Sequence, residues 1–261
     1  MSDAIAEVAD LIDRSHNILF ITGAGISADS GLPTYRGVGG LYEDNQTEEG
    51  YSIEEALSGP MLMERPDITW KYLWQIGAAC HQAEPNEAHE IIANIQRKKQ
   101  GSWVLTQNVD GLHRRAGSEK LVEIHGYAFD LYCMNCSFET TADQIIDGYS
   151  GDPVLPPACP ECKGIIRPTI VLFSEALPEL EVAKLYQIEE SAVDLVITIG
   201  TSGQFPYIIG PVYSAASQGI PTVEINPNET EYSHLYNHHL RMGAAAALSD
   251  IWMYLEDKSA G

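Results

Sequence analysis

Apolar residues follow two rhythms along this chain. Near the start, Ile5, Val8, Leu11 and Ile12 recur at helical spacing behind Ser2 or Asp3 as a cap, which predicts an amphipathic helix. Elsewhere, short apolar runs end in glycine or polar residues. They are Ile18-Leu19-Phe20-Ile21-Thr22, Trp103-Val104-Leu105-Thr106, Leu195-Val196-Ile197-Thr198-Ile199 and Thr222-Val223-Glu224-Ile225. Such runs predict strands buried on both faces. Helical stretches lie between them, as at Glu87 to Arg97 and Pro211 to Gln218. Strands alternating with helices predict an α/β fold, a Rossmann-like parallel, doubly wound sheet. No internal repeat or low-complexity tract interrupts it.

The stretches from about Gly37 to Pro85 and from Tyr127 to Arg167 break the alternation, and the second contains most of the cysteines. Four of the five form Cys133-Met134-Asn135-Cys136 and Cys159-Pro160-Glu161-Cys162, with 22 residues between the pairs. Two CxxC knuckles place four thiolates around one tetrahedral cation, and zinc suits that site best. Disulfides would require an oxidising compartment to which nothing else in the chain points. Redox chemistry of the thioredoxin kind needs only one CxxC. With sulfur in all four positions the metal is structural, because no position remains for substrate or water. Cys80 is left over as a small apolar residue. We expect residues 1–36, 86–126 and 168–261 to form the Rossmann-like domain. Residues 37–85 and 127–167 would form a smaller helical and zinc-ribbon domain.

Composition narrows the function. At 261 residues, 44% hydrophobic and 20% charged, the chain is long and apolar enough for a sizeable core. Fifteen basic against 37 acidic residues give −22, which repels a phosphate backbone and argues against direct nucleic-acid binding. That charge would attract a lysine-rich protein segment; the simpler reading is that it keeps the protein soluble. No apolar run approaches the ~18 residues of a membrane span. Met1-Ser2-Asp3 carries acid where a targeting peptide would carry base. We expect a cytoplasmic protein with no membrane partner.

The strand ends carry the candidate chemistry. Gly23-Ala24-Gly25-Ile26-Ser27-Ala28 matches the G-x-G-x-x-[GA] loop of dinucleotide-binding folds, where glycine lets backbone N–H groups approach a pyrophosphate. Alone that motif is weak. Three further tips accompany it: Gln107-Asn108-Val109-Asp110, Gly200-Thr201-Ser202 and Asn226-Pro227-Asn228. In an open α/β sheet such tips line the ligand crevice, and their amides, hydroxyls and carboxylate suit a nucleotide. The acid that a dehydrogenase carries about 20 residues past the glycines is missing, because no strand precedes Glu43 and Asp44. This argues against hydride transfer and for a dinucleotide with its nicotinamide end against Asn108 and Asp110.

The run from Gly23 through Gly31-Leu32-Pro33-Thr34-Tyr35-Arg36-Gly37 resembles the signature loop of the sirtuins, the NAD-dependent protein deacylases. Thr106-Gln107-Asn108-Val109-Asp110-Gly111-Leu112-His113, Glu123-Ile124-His125-Gly126, the CxxC pairs, Ile166-Arg167-Pro168 with Phe173, and Gly200-Thr201-Ser202 extend the likeness in the family's order over nearly the whole chain. The resemblance implies that the acyl oxygen of a modified lysine attacks the nicotinamide-bearing ribose carbon, expelling nicotinamide. A neutral imidazole then takes a proton from a ribose hydroxyl, and the acyl group passes to ADP-ribose. His125 matches the family's base, a role suited to a histidine near neutral pH. By the same resemblance, Asn108 and Asp110 position the ribose and the carboxamide. Arg36 and Ser27 serve the phosphates and the ribose side, Ser202 and Asn226 hold the adenosine half, and Gly23, Ala24, Gly25, Tyr35, Gln107, Gly200, Thr201, Asn228 and Ala245 complete the NAD site. Zinc would sit on the four knuckle cysteines.

Some positions depart from the family pattern. Tyr35 replaces a common phenylalanine, Ser174 replaces the glycine of the Phe173-Ser174-Glu175 segment that pairs with substrate backbone, and Asn228 stands where many members have an acid. Sirtuins that remove succinyl or malonyl carry Tyr-x-x-Arg before a Pro-Asn-x-x-His segment. Here the later segment is Pro85-Asn86-Glu87-Ala88-His89, and upstream lies Tyr72-Leu73-Trp74-Gln75, with glutamine at the arginine position. Tyr72 and Gln75 at i, i+3 would share a helix face toward the acyl pocket, or simply pack the small domain. Glutamine cannot form the charged fork that holds a carboxylate, so the expected substrate is acetyl-lysine, with succinyl and malonyl as the alternative. An NAD sensor without turnover and a sirtuin-like NAD hydrolase or ADP-ribosyltransferase are the rival readings.

Overall fold

The computed structural model describes residues 3–33 and 46–260. In chain order its strands are β1 (Ile18–Thr22), β2 (Trp103–Thr106), β3 (Leu121–Glu123), β4 (Asp130–Cys133), β5 (Glu139–Thr141), β6 (Ile166–Pro168), β7 (Leu195–Ile199), β8 (Thr222–Ile225) and β9 (His238–Leu240). The helices are α1 (Asp3–Arg14), α2 (Ile53–Ala56), α3 (Gly59–Glu64), α4 (Pro66–Gln82), α5 (Glu87–Lys98), α6 (Leu112–Ala116), α7 (Ala142–Ile146), α8 (Glu179–Glu190), α9 (Pro206–Ser217) and α10 (Ala244–Ala260).

The four predicted apolar runs become β1, β2, β7 and β8, the inner strands of a six-stranded parallel sheet in the order β3-β2-β1-β7-β8-β9. Every residue of β1 and β7 is buried, as continuous apolar runs require. On one face, Val8 and Ile12 of α1, Ile92 of α5 and Leu248 of α10 close over Phe20, Val104 and Ile197. On the other, Leu185 of α8 and Ile208 and Val212 of α9 cover Leu19, Ile21, Leu105 and Val196. The edge strands β3 and β9 have three residues each and no strand pattern of their own; pairing with a neighbour makes them strands. Helix α9 begins five residues before the predicted Pro211, because Pro206 already has the fixed φ suited to a first turn.

A second unit packs β4 between β5 and β6, all antiparallel, against α2, α3, α4 and α7. Its core holds Ile53, Leu62, Ile68, Trp70, Leu73, Leu131, Ile146 and Ile166. The Trp70 indole donates to the Ile166 carbonyl at 3.0 Å, so its one polar atom is satisfied inside that core. No helix among the described residues is long and apolar enough to cross a membrane.

Beneath the sheet's carboxyl end, His89 of α5 and His113 of α6 meet edge-on, ring centroids 4.8 Å apart, both fully buried. His113 Nε2 bonds Thr22 Oγ1 at 3.0 Å, and Thr22 in turn donates to Thr106. Burial lowers His89 to about 4 and takes His113 well below its ordinary value. Both are neutral in the folded state while an unfolded histidine titrates near 6.5, so between about pH 6.5 and 4 the unfolded chain binds more protons. Their contribution to stability is complete above pH 6.5 and is lost as pH falls through that window, by about 1.4 kcal/mol per pH unit for each fully shifted histidine. Urea midpoints should therefore fall from pH 7 to 5, with a shallower slope in His89→Leu; equal slopes would show that His89 does not drive the effect.

Candidate active site and metal cluster

The sheet order reverses between β1 and β7, and there the two carboxyl ends meet through glycine. Gly23 N–H donates to the Ile199 carbonyl at 3.1 Å and Gly25 N–H to the Gly200 carbonyl at 2.9 Å. A Cβ on Gly25 would stand 2.6 Å from Gly200 Cα, and Gly200 itself is left-handed at φ +60°. These glycines are thus required by one another, and two amides of the loop are committed within the fold. Ala24 opens a 3-10 helix, Ala24–Ser30, where dinucleotide loops usually lead into an α-helix.

Around this contact the polar tips knit together. Ser27 Oγ donates to Asp110 Oδ2 at 2.8 Å and accepts from Asn108 Nδ2 at 3.1 Å, which also reaches the Gly23 carbonyl. The other Asp110 oxygen accepts from Leu112 N–H at 2.9 Å. Burial pushes the Asp110 carboxyl up, opposed by those two bonds and the charge of Arg115. Gln107 Nε2 donates to Thr201 Oγ1 at 2.7 Å, and Asn226 Nδ2 to the Thr201 carbonyl at 3.2 Å. Ser202 and Asn228 are exposed. The Ala245 amide donates to Asp29, and both residues border an open groove of about 590 Å³. Tyr35 and Arg36 lie outside the described residues.

His125 lies two residues past the end of β3 and reaches the same crevice. Its Nδ1 lies 3.0 Å from the Gln107 carbonyl, an oxygen that can only accept; Nδ1 therefore carries the hydrogen and Nε2 the lone pair. Burial lowers the pKa of the ring and the Gln107 carbonyl partly opposes it, which favours a neutral imidazole at physiological pH. Two residues that the sequence reading passed over flank it. Phe205 stands edge-on at 5.4 Å between centroids, and Tyr207 Oη lies 2.7 Å from Nε2. The available signal was two aromatics at a helix start just past the Gly200-Thr201-Ser202 tip.

The residues expected near the acyl group separate. Tyr72 and Gln75 lie one turn apart on α4, but Tyr72 is buried and Gln75 exposed. The Tyr72 hydroxyl donates to Glu49 at 2.7 Å, and Lys71 pairs with both Glu48 and Glu49. Phe173 uses its backbone N–H on the Leu57 carbonyl, and its carbonyl accepts from Gly59. Ser174 is exposed at φ +68°. Glu175 forms a two-pronged pair with buried Arg167, at 2.6 and 2.9 Å, and accepts from Leu172 N–H.

The four knuckle cysteines converge, their Sγ atoms all within 4.8 Å of one another. Cys133 and Cys162 are 3.4 Å apart and Cys136 and Cys159 3.7 Å, near the ~3.8 Å edge of a tetrahedron with Zn–S of about 2.3 Å. A disulfide needs about 2.05 Å, and all five cysteines are free. Asn135 and Gly164 donate backbone N–H bonds to Cys133 and Cys162 sulfur, a pattern that favours thiolate. The donor set fits one structural zinc.

Residues 23–206 match the Sir2 family. The chain is 50% identical to the NAD-dependent protein deacylase 2 of Pseudomonas aeruginosa over 88% of each chain. It is 48% identical to the protein of that name from Pseudomonas syringae pv. tomato, over 94% of this chain and 98% of the other. Among solved structures it resembles a Sir2 homolog–NAD complex, with a TM-score of 0.84 and 29% identity, covering 97% of this chain and 94% of that one. A Sir2 variant with a deacetylated p53 peptide and 3'-O-acetyl ADP-ribose is equally similar in fold, at TM-score 0.84 and 28% identity, covering 95% of this chain and 97% of that one. The chain belongs to the Sir2 family, the sirtuins.

We expect one zinc per chain by metal analysis. Replacing Cys133, Cys136, Cys159 or Cys162 with Ala should lower the melting temperature, with activity falling through misfolding, because structural zinc contributes directly to folding. Active protein free of zinc would contradict this assignment.

Proposed function

We propose that this chain is an NAD-dependent protein lysine deacylase whose preferred substrate is acetyl-lysine. The observation that carries it is the position of His125, its Nδ1 directed at the Gln107 carbonyl, at the crevice where the strand order reverses; burial lowers its pKa, which favours the neutral imidazole. Bound NAD supplies the ADP-ribosyl acceptor and the nicotinamide leaving group. His125 takes the proton from a ribose hydroxyl on Nε2. Asn108, with Asp110 and Ser27 tied to one another beside the glycine loop, orients the nicotinamide end; the supporting feature is that these side chains already hold each other in place. Gln107, Thr201 and Asn226, linked across the tips, support the remainder of the cofactor site. Tyr35 and Arg36 keep their expected roles by resemblance alone. The segment around Phe173, Ser174 and Glu175 is the proposed guide for substrate backbone, stiffened by the Arg167 pair. A cytoplasmic location is part of this reading; thiols gathered for a metal, as opposed to disulfides, support it.

Acetyl preference gains support from the surroundings of Tyr72. Its hydroxyl is occupied by Glu49, whose carboxyl is held down to about 2 by Lys71 and Tyr72, so it is charged at any working pH. An acyl group ending in a carboxylate would find there Gln75 in place of an arginine, together with a committed hydroxyl and two carboxylates against one ammonium.

His125→Ala should cut deacylation by roughly 10²–10⁴-fold, the usual contribution of a general base, while leaving the fold and most NAD affinity intact. Near-normal turnover would remove His125 from the role. Nicotinamide release with and without an acetylated peptide separates the alternatives: dependence on peptide marks a deacylase, independence a hydrolase, and silence a sensor. For acyl preference, kcat/KM should favour the acetyl over the matched succinyl peptide by about one to two orders of magnitude, the worth of a lost charge-assisted contact. Glu49→Gln with Gln75→Arg should narrow that gap; a wild type favouring succinyl would sink the preference.

A further inference from the structure

Each ring nitrogen of His125 has one partner. With the hydrogen fixed on Nδ1 by the Gln107 carbonyl, Nε2 can only accept, so Tyr207 Oη at 2.7 Å donates to it. Tyr207 is the second residue of α9, directly after Pro206, which starts the helix. Its ring stacks on Phe205, centroids 5.3 Å apart and planes within 11°, and both rings present to the imidazole edge. No charged group competes for this contact among the described residues that pack nearby. Asp110 on the adjoining tip is bonded to Ser27 and Leu112, and Glu123 before the histidine is paired with Arg114.

We propose that Tyr207 is a positioning residue that caps the catalytic base: its hydroxyl occupies, on Nε2, the place that the substrate hydroxyl takes when His125 removes its proton. The inference rests on the assignment of His125 as base. One lone pair accepts one strong hydrogen bond, so the substrate hydroxyl binds only as Tyr207 Oη leaves. The tyrosine changes hydrogen-bond partner and neither gains nor loses a proton; burial pushes its phenol up to about 12, leaving it a donor and not an acid at neutral pH. In the resting protein the cap also favours the neutral imidazole, because the bond is made only when Nε2 is unprotonated.

Tyr207→Phe tests this, since it keeps the ring and the stack and removes only the hydroxyl. Imidazole NMR of the ligand-free protein, with the His125 signal assigned by its loss in His125→Ala, should show the His125 midpoint rising by roughly 0.4–1 pH unit, the worth of one neutral hydrogen bond. The acid limb of kcat/KM should move up with it. KM for NAD at saturating acetyl-lysine peptide should fall about two- to tenfold, with the gain on KM and not on kcat. An unchanged midpoint would overturn the proposal, because the hydroxyl would not be on Nε2 in solution. A tenfold or larger drop in kcat at constant KM would also overturn it, by making the hydroxyl a participant in proton transfer. The titration requires no turnover. A protein that titrates as expected yet releases no nicotinamide would retire the deacylase reading and not the Tyr207 contact.

Discussion

The backbone of Gly25 lies against that of Gly200, and the rest of the site depends on that approach. Where the chain runs outward from β1 on one side and from β7 on the other, the loops leaving those two strands must part or interlock. Here they interlock: Gly25 N–H donates to the Gly200 carbonyl, and a side chain on either residue would collide with the other's main chain. The polar tips are consequently near enough to bond across the crevice, as Gln107 and Asn226 do to Thr201. The spacing of the groups proposed to hold the cofactor thus follows from a main-chain contact.

The small unit reaches the same place by a different route. Cys133 closes β4, and β4 pairs with β6 at Cys133–Ile166 and Tyr132–Arg167. Arg167 is 4% exposed, and its guanidinium grips Glu175 with two bonds and the Ile170 carbonyl with a third. Removing charge from water is costly unless the geometry satisfies it, and this two-pronged arrangement does so. The pair draws the chain after Pro168 into a tight path on which Val171 N–H donates to the His125 carbonyl. The four-cysteine cluster is thus connected through two strands and one ion pair to the backbone of the proposed base.

Three histidines show how surroundings divide one residue type. His89 and His113 are sealed in the core, where burial disfavours their protonated form, and are structural. His125 also has a lowered pKa, but its ring is only half buried and each nitrogen has a directed partner, one a carbonyl and one a hydroxyl. Directed partners at an open edge are what a proton-transferring group needs; mere burial is not enough.

Much of this was legible in the chain itself. Continuous apolar runs such as Ile18–Thr22 suit central strands, because such a segment buries both faces, and two CxxC pairs carry the four thiolates that one tetrahedral cation takes. The motif residues Asn108, Asp110 and His125 were identifiable from local pattern and family resemblance. Other features had no local signal. The edge strands β3 and β9 arise from pairing with a neighbour, and α9 begins at Pro206 although the pattern suggested Pro211. Glu49 meets Tyr72 across 23 positions, and Tyr207 meets His125 across 82. Periodicity and motif report what a residue does with its neighbours along the chain. Which hydroxyl finds which lone pair depends on how separate elements are brought together, and that only the tertiary structure decides.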